Sequence, residues 1–134
     1  MKIEEHEKAY QEHKRIIDKF IEEGIENNQR NISYNISQGS VELFSIYLHK
    51  LNIVSSSGDQ IDHRIFKSKN LINKKLDFDF PHKFKILKLM KEIEQERNAL
   101  CYGSRKPSPR IEKVIIAFNK FRTIVNKEIQ NAKK

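Results

Sequence analysis

Helix-breaking residues are scarce in this chain, which has only four glycines and three prolines among 134 residues. Glycine and proline are the strongest local interrupters of regular structure, so the segments between them can run as long single elements. Within those segments apolar residues recur every three or four positions, which is the pattern of amphipathic helices. We find no convincing strand alternation and no internal repeat. The sequence therefore predicts an all-α fold, an antiparallel up-and-down bundle of about five helices in one domain, residues 1–134.

The apolar pattern and the cap signals place five helices along the chain. Their predicted ranges are 3–26, 30–51, 60–76, 82–102 and 109–130. Residues 55–58 predict a loop, and Asp59 is a candidate N-cap for the third helix. Ser108 is the candidate N-cap of the last helix, with Pro109 in its first turn. Gly39, inside the second helix, is small enough to let a neighbouring helix approach closely.

The bulk composition limits the compartment and the class of partner. The net charge is +8, and a basic surface attracts a polyanion such as RNA at long range. A merely soluble surface or a thermophile-like content of Lys and Glu would produce the same balance. The single cysteine, Cys101, rules out a module stapled by internal disulfides. With no signal-peptide core and no apolar run of about 18 residues, the sequence predicts a cytoplasmic protein without a membrane segment.

Polar residues at helical spacing offer only a weak metal or ligand signal. His6 and His13 are seven residues apart and could share a helix face, but a zinc site needs further ligands, so we interpret them as a solvated pair. The second helix carries a polar stripe, which we interpret as a solvated face in preference to a binding stripe. That stripe comprises Asn31, Asn35, Gln38 and Glu42. Without a phosphate-binding glycine loop, HExxH or CxxC, the sequence predicts no cofactor and no metal.

The most informative segment ends the fourth predicted helix and reads EQERNALCYG, residues 94–103. Arg97 falls at a position that periodicity turns toward the core or a partner, and a buried arginine is costly unless it is paired and hydrogen-bonded. Tyr102 follows five residues later, about 140° around a regular helix, so the two side chains share a face only loosely. A distorted last turn before Gly103 would bring them together. An Arg–carboxylate pair with a packed tyrosine is the structural alternative.

Three cations, Arg105, Lys106 and Arg110, cluster just before the last helix. A helix N-terminus already attracts anions, and these side chains would add to that attraction. The cluster is the candidate RNA- or phosphate-binding patch, and an ordinary basic loop is its alternative.

The helix count, the Arg97-Asn98 pair late in the fourth helix and the loop into a final amphipathic helix resemble a HEPN domain. Many HEPN proteins carry an arginine, then asparagine or another polar residue, and a histidine five or slightly more positions beyond the arginine. Arg97 and Asn98 match this pattern, whereas Tyr102 stands at the histidine position. Residues 37–44 also resemble the second helix of that family in character.

The resemblance implies a homodimer in which two copies of the motif meet in a cleft. Arg97, Asn98 and Tyr102 would then form the catalytic site of a metal-independent endoribonuclease of a toxin–antitoxin or defence system, with Arg97 on the scissile phosphate. A phenol has a pKa of about 10 and is therefore a poor base at neutral pH. We accordingly expect RNA cleavage to be reduced or absent. The alternative is a non-catalytic interaction module that binds nucleotides or a nucleotidyltransferase partner, with Arg97 structural.

Overall fold

A computed structural model describes residues 1–54 and 61–132 of this chain. Within those ranges the chain forms five α-helices, one 3-10 helix and no strand. The α-helices are α1 Ile3–Glu23, α2 Gln29–Lys50, α3 Lys69–Lys75, α4 Lys83–Cys101 and α5 Ser108–Ala132, and the 3-10 helix is His63–Lys67. The predicted all-α class is confirmed.

The four long helices alternate in direction. Contacts between α1 and α2 join early residues of one to late residues of the other, as in the hydrogen bond between His6 and Glu42. Near the start of α2, the Arg30 carbonyl accepts from the thiol of Cys101 at the end of α4. An ion pair joins the first turn of α5 to the later half of α4. The arrangement is therefore an up-and-down bundle, with the short α3 lying in the long connection between α2 and α4.

Helix α2 is the centre of the bundle. It contacts α1, α4, α5 and the 3-10 helix, and 15 of its 22 residues are buried. Its Phe44 and Tyr47 hold the long connection in place, because the ring of Phe80 lies 5.6 Å and 5.9 Å from theirs, centroid to centroid. Phe44 also meets Phe66 of the 3-10 helix edge to face at 6.0 Å. Fully burying one such ring contributes about 1.5–3 kcal/mol.

The predicted third helix, 60–76, is wrong as a single element. The chain breaks at Ser68 between the 3-10 helix and α3. Phe66 and Ile72 are both buried, at 1% and 6% exposed, so each piece contributes a side chain to the core. Because the backbone at Ser68 is extended, one continuous helix cannot pass through it. Asp62 caps the first piece and Ser68 the second, each with a side-chain oxygen that accepts a backbone N–H.

Two other sequence-based expectations have clear outcomes here. The close approach at Gly39 is confirmed, since a Cβ atom there would lie 3.3 Å from Cβ of His13 on α1. Ser108 is the first residue of α5 rather than its cap, and its hydroxyl donates to the Glu26 carboxylate at 2.7 Å. The predicted loop at 55–58 and the candidate cap Asp59 lie outside the described residues. Of the helices that the structure describes, none is long and apolar enough to cross a membrane.

Candidate functional site between α2 and α4

A set of polar and aromatic side chains lines the contact between α2 and α4, and we call it the α2–α4 site. Helix α2 contributes Arg30, Tyr34 and Ser37, spaced four and three residues apart on one face. Helix α4 contributes Glu94 and Arg97, which are three residues apart and therefore neighbours on the helix surface. The antiparallel packing places Tyr34 and Ser37 against Arg97.

Arg97 is buried at 7% exposed, as the periodicity predicted. Its Nη1 donates to the Ser37 hydroxyl at 3.1 Å, and its guanidinium carbon lies 5.0 Å from the centroid of the Tyr34 ring. Within residues 1–54 and 61–132 it makes no other hydrogen bond and no ion pair. A guanidinium carries five N–H donors, and burying its charge is costly without anionic partners. Arg97 is thus a buried cation with spare donors.

The carboxylate linked to this arginine is that of Glu94, which is 2% exposed. The two groups are joined only through Ser37, whose hydroxyl donates to Oε2 of Glu94 at 3.5 Å. The direct Arg–carboxylate pair considered as an alternative does not form between these two residues. The Glu94 charge is instead engaged mainly by a histidine.

That histidine is His63, from the 3-10 helix. Its Nδ1 lies 2.9 Å and 3.0 Å from the two carboxylate oxygens of Glu94. With Nδ1–H donating to the carboxylate, the lone pair of a neutral ring lies on Nε2. The side chain of His63 is 21% exposed, and its Nε2 lies 4.0 Å from a carboxylate oxygen of Asp62. A carboxylate that orients an imidazole in this way is the arrangement used by many general bases.

Sequence reasoning missed both partners of this pair. Glu94 carried a usable signal, because it lies three residues before Arg97 on the same helix face. His63 carried none, since it is 31 residues from Glu94 and belongs to a different element. Only the packing of the long connection against α4 brings it to the site.

The two remaining predicted catalytic residues lie at the surface. Asn98 is exposed on α4. Tyr102 is 65% exposed and follows the end of α4 in extended conformation. In the described chain neither side chain hydrogen-bonds to Arg97, and the ring that meets Arg97 is that of Tyr34, which is itself 45% exposed.

Cys101 closes the α4 end of the site. Burial raises the pKa of its thiol, and this outweighs the opposing contact with the Ser33 hydroxyl and the nearby arginine charges. A thiol with a raised pKa is protonated at neutral pH and is a weak nucleophile. Thiolate chemistry is therefore not supported here.

The predicted basic patch is only partly available to a ligand. Arg110 is neutralised by Glu96, with Nε 2.9 Å from the carboxylate. Arg105 donates to the carbonyl oxygen of Glu26 at 2.7 Å. It also lines a polar cavity of about 220 Å³ at the start of α2, together with Arg30. The backbone of Lys106 is held by the Gln29 side chain. The structure therefore groups Arg105 with Arg30 rather than with Arg110.

The solvated faces predicted on α1 and α2 are wrong in part: Asn31 is exposed and Gln38 half-buried, but the other four side chains pair across the two helices. His6 is 6% exposed, and its Nδ1 lies 2.6 Å from the Glu42 carboxylate. His13 Nδ1 lies 2.8 Å from the side-chain oxygen of Asn35. His6 with Glu42 and His13 with Asn35 thus satisfy each other across the α1–α2 contact rather than meeting water. No three His, Cys, Asp or Glu side chains in residues 1–54 and 61–132 are arranged to hold a metal ion.

In comparisons with known proteins, no family model, no curated protein and no solved structure matches the chain.

Proposed function

We propose that this chain is a HEPN-like RNA-binding protein whose α2–α4 site holds a phosphate of single-stranded RNA on Arg97. The observation that supports it is the state of that guanidinium, which is buried with one hydrogen bond and no ion pair within the described residues. A phosphate accepts strong, charge-assisted hydrogen bonds from such a group. RNA supplies the missing negative charge without requiring a metal or cofactor.

The surroundings of Arg97 suit a single strand better than a duplex. Unpaired bases stack on exposed aromatic rings, and the exposed rings of Tyr34 and Tyr102 lie on α2 and directly after α4. Arg30 and Arg105 add positive charge where the α1–α2 and α4–α5 connections meet. The strand would follow these cations along the backbone and place its bases against the tyrosines.

RNA processing is the finer part of the proposal, and it assigns proton transfer to His63. Cleavage without a metal moves the proton of a ribose 2′-hydroxyl to a base while that oxygen attacks the phosphorus. The bond from phosphorus to the 5′-oxygen then breaks, leaving a 2′,3′-cyclic phosphate, and the 5′-oxygen takes a proton from the protonated base or from water. The role goes to His63 because Glu94 orients its ring, and imidazole is the group most often used for proton transfer in enzymes. Arg97 would stabilise the charge that develops on the phosphate.

Binding is tested by fluorescence anisotropy with a labelled single-stranded RNA. We expect Arg97→Ala to weaken binding about tenfold or more, since a hydrogen bond to a charged group is worth about 1.5–3 kcal/mol. Tyr34→Ala removes a half-exposed ring and should weaken binding to a similar degree through lost stacking. Arg64→Ala is the matched control, because Arg64 is an exposed cation paired with Asp62. Unchanged affinity in both site variants, with circular dichroism showing intact folding, would refute the proposal.

Cleavage is tested separately with the same RNA in the presence of a chelator. We expect slow formation of a 2′,3′-cyclic phosphate that His63→Gln abolishes while RNA binding persists. Cleavage that survives His63→Gln and is lost in Tyr102→Phe would instead make Tyr102 the catalytic group. The competing interaction module, binding nucleotides or a nucleotidyltransferase partner, predicts that Arg97→Ala lowers stability and leaves RNA affinity unchanged.

A further inference from the structure

The most exposed large apolar side chain among the described residues is Phe84, at 81% exposed near the start of α4. Single surface apolar residues are ordinary, but a contiguous apolar surface marks an interaction site. Phe84 is part of such a surface. It borders a groove of about 740 Å³ between α3 and α4, whose accessible lining is mostly apolar.

We call this feature the α3–α4 groove. Its apolar lining is formed by Ile72 of α3, Phe80 of the connection, and Phe84 and Leu87 of α4. Ile72, Phe80 and Leu87 are core residues with only their outer edges exposed, at 6–8%, so they form a firm floor. The ring of Phe84 lies beside that floor and is largely exposed, so it is available to contact a partner. Such a row of aliphatic and aromatic contacts suits the apolar stripe of an incoming helix.

The rim of the groove is strongly basic. It carries four lysines, Lys69, Lys83, Lys88 and Lys91. None of their ammonium groups makes an ion pair or a hydrogen bond with residues 1–54 or 61–132. Asp79 is the one acidic residue in the described lining, and its carboxylate already accepts the Phe80 amide. The rim therefore presents uncompensated positive charge around an apolar floor.

We infer that the α3–α4 groove binds an acidic amphipathic helix of a partner protein. The apolar stripe of that helix would cover Phe84 and the floor, and its Glu or Asp side chains would pair with the lysines. A second copy of this chain fits less well, because a two-fold contact through this surface would bring the two lysine rims together. A flat lipid surface would leave the concave floor unfilled. RNA could stack a base on Phe84 and pair with the lysines, but it would leave the floor of Ile72, Phe80 and Leu87 without an apolar partner.

This surface is separate from the proposed RNA site. The groove uses the first half of α4, residues 83–91, whereas Glu94 and Arg97 lie in the second half. Substitutions at Phe84 should therefore leave RNA affinity unchanged. The inference stands or falls independently of the proposed function.

The test uses two labelled synthetic peptides of about 15 residues, the length at which a helix begins to be stable in water. One carries leucines at helical spacing with glutamates between them, and the other has the same composition in scrambled order. By fluorescence anisotropy we expect the full chain to bind the amphipathic peptide at least about tenfold more tightly, because only it presents a continuous stripe. Phe84→Ala should weaken that binding about tenfold, as loss of a central aromatic anchor does.

Ile116→Ala is the control, because Ile116 is a 54% exposed apolar residue on α5, away from the groove. It should bind the peptide as the unmodified chain does. Phe84→Ala should also keep its melting temperature, since the ring is hardly packed. Equal binding of both peptides, or full binding by Phe84→Ala, would overturn the inference. So would Phe84-dependent binding to phosphatidylserine vesicles, to RNA or to a second copy of the chain in place of the peptide.

Discussion

At the scale of single residues, burial decides what the polar side chains do. Arg97, Glu94 and His63 are linked through Ser37 into one chain of hydrogen bonds. In such a chain each group orients the next, and loss of one partner leaves another buried group unsatisfied. The orientation of His63 therefore depends on Glu94, although that carboxylate is almost fully covered.

Glu94→Gln tests this dependence. The substitution keeps the size of the side chain but removes the charge that holds His63. We expect the free energy of unfolding to fall by about 1–3 kcal/mol, the cost of an impaired buried hydrogen bond to a charged group. The measurement is urea unfolding followed by circular dichroism. Glu92→Gln, at a carboxylate on the same helix without a hydrogen bond in the described chain, should change it by less than about 0.5 kcal/mol.

The second prediction at this scale concerns pH. Burial lowers the pKa of His49 below its usual 6.5, and the neighbouring His6 lowers it further. The unfolded chain then takes up the proton more readily than the folded chain, so this contribution to stability is present above about pH 6.5 and is lost as the pH falls toward the folded pKa. Urea unfolding at pH 7.5 and 5 should show that the free energy of unfolding falls less on acidification in His49→Gln than in the unmodified chain. An equal fall in the two proteins would contradict a role for His49.

At the scale of elements, two helix contacts set the architecture. Helices α1 and α2 meet at Gly39 with their polar stripes facing each other, and α2 and α4 meet through Ser37. Small residues at both places allow the backbones to approach. Helix α2 can be enclosed despite its polar stripe because Asn35, Ser37 and Glu42 find hydrogen-bond partners on α1 and α4 rather than in water.

Gly39 is the position where this packing can be tested. A Cβ atom there would lie 3.3 Å from Cβ of His13, which is tight. Gly39→Ala should be nearly neutral, because about 1 kcal/mol of helix propensity offsets the crowding. Gly39→Leu should lower the free energy of unfolding by more than about 2 kcal/mol, since α1 must move away. Asn31→Leu, at an exposed position on the same helix, is the control and should have little effect on thermal unfolding.

At the scale of the whole molecule, the net charge of +8 acts on every association. A net positive charge favours association with a polyanion and opposes association with a second copy of the chain. Both effects are screened by salt, so the two kinds of association should respond to salt in opposite directions. Four of the lysines that contribute this positive charge line the α3–α4 groove. Two such surfaces would repel each other, so a dimer should form elsewhere.

We predict a symmetric homodimer with the Arg97 part of α4 at or near the two-fold axis. The exposed rings of Tyr34 and Tyr102 offer apolar surface there, and a two-fold contact is the commonest dimer arrangement. Light scattering at micromolar concentration should give twice the 15.9 kDa mass of one chain, with a larger dimer fraction at higher salt. Tyr34→Glu should shift the protein toward the monomer. A monomeric mass at all salt concentrations would contradict the prediction.

RNA affinity should show the opposite response. If Arg97, Arg30 and Arg105 contact phosphates, the logarithm of the binding constant should fall linearly with the logarithm of salt concentration. Arg105→Ala should make that slope shallower by about 0.7, the value for one contact to a single strand. Arg110→Ala should leave it unchanged, because Glu96 already neutralises that side chain. Equal slopes for the unmodified chain, Arg105→Ala and Arg110→Ala would show that Arg105 does not contact a phosphate.

The positions of the long helices follow from the sequence alone. The second helix was predicted at 30–51 and is observed at Gln29–Lys50, and the fourth was predicted at 82–102 and is observed at Lys83–Cys101. Helical hydrogen bonds and apolar stripes are local, so a few consecutive residues suffice to predict them. The burial of Arg97 is predictable for the same reason.

Only the tertiary structure decided what the polar residues meet. Periodicity assigns His6 and Glu42 to polar faces, but it cannot distinguish a face that meets water from one that meets another polar face. Nor can it show that His63 reaches Glu94, because that contact depends on a chain break at Ser68 and on how the connection packs against α4. The pattern of one helix carries no information about its neighbour, and the site consists of contacts between neighbours.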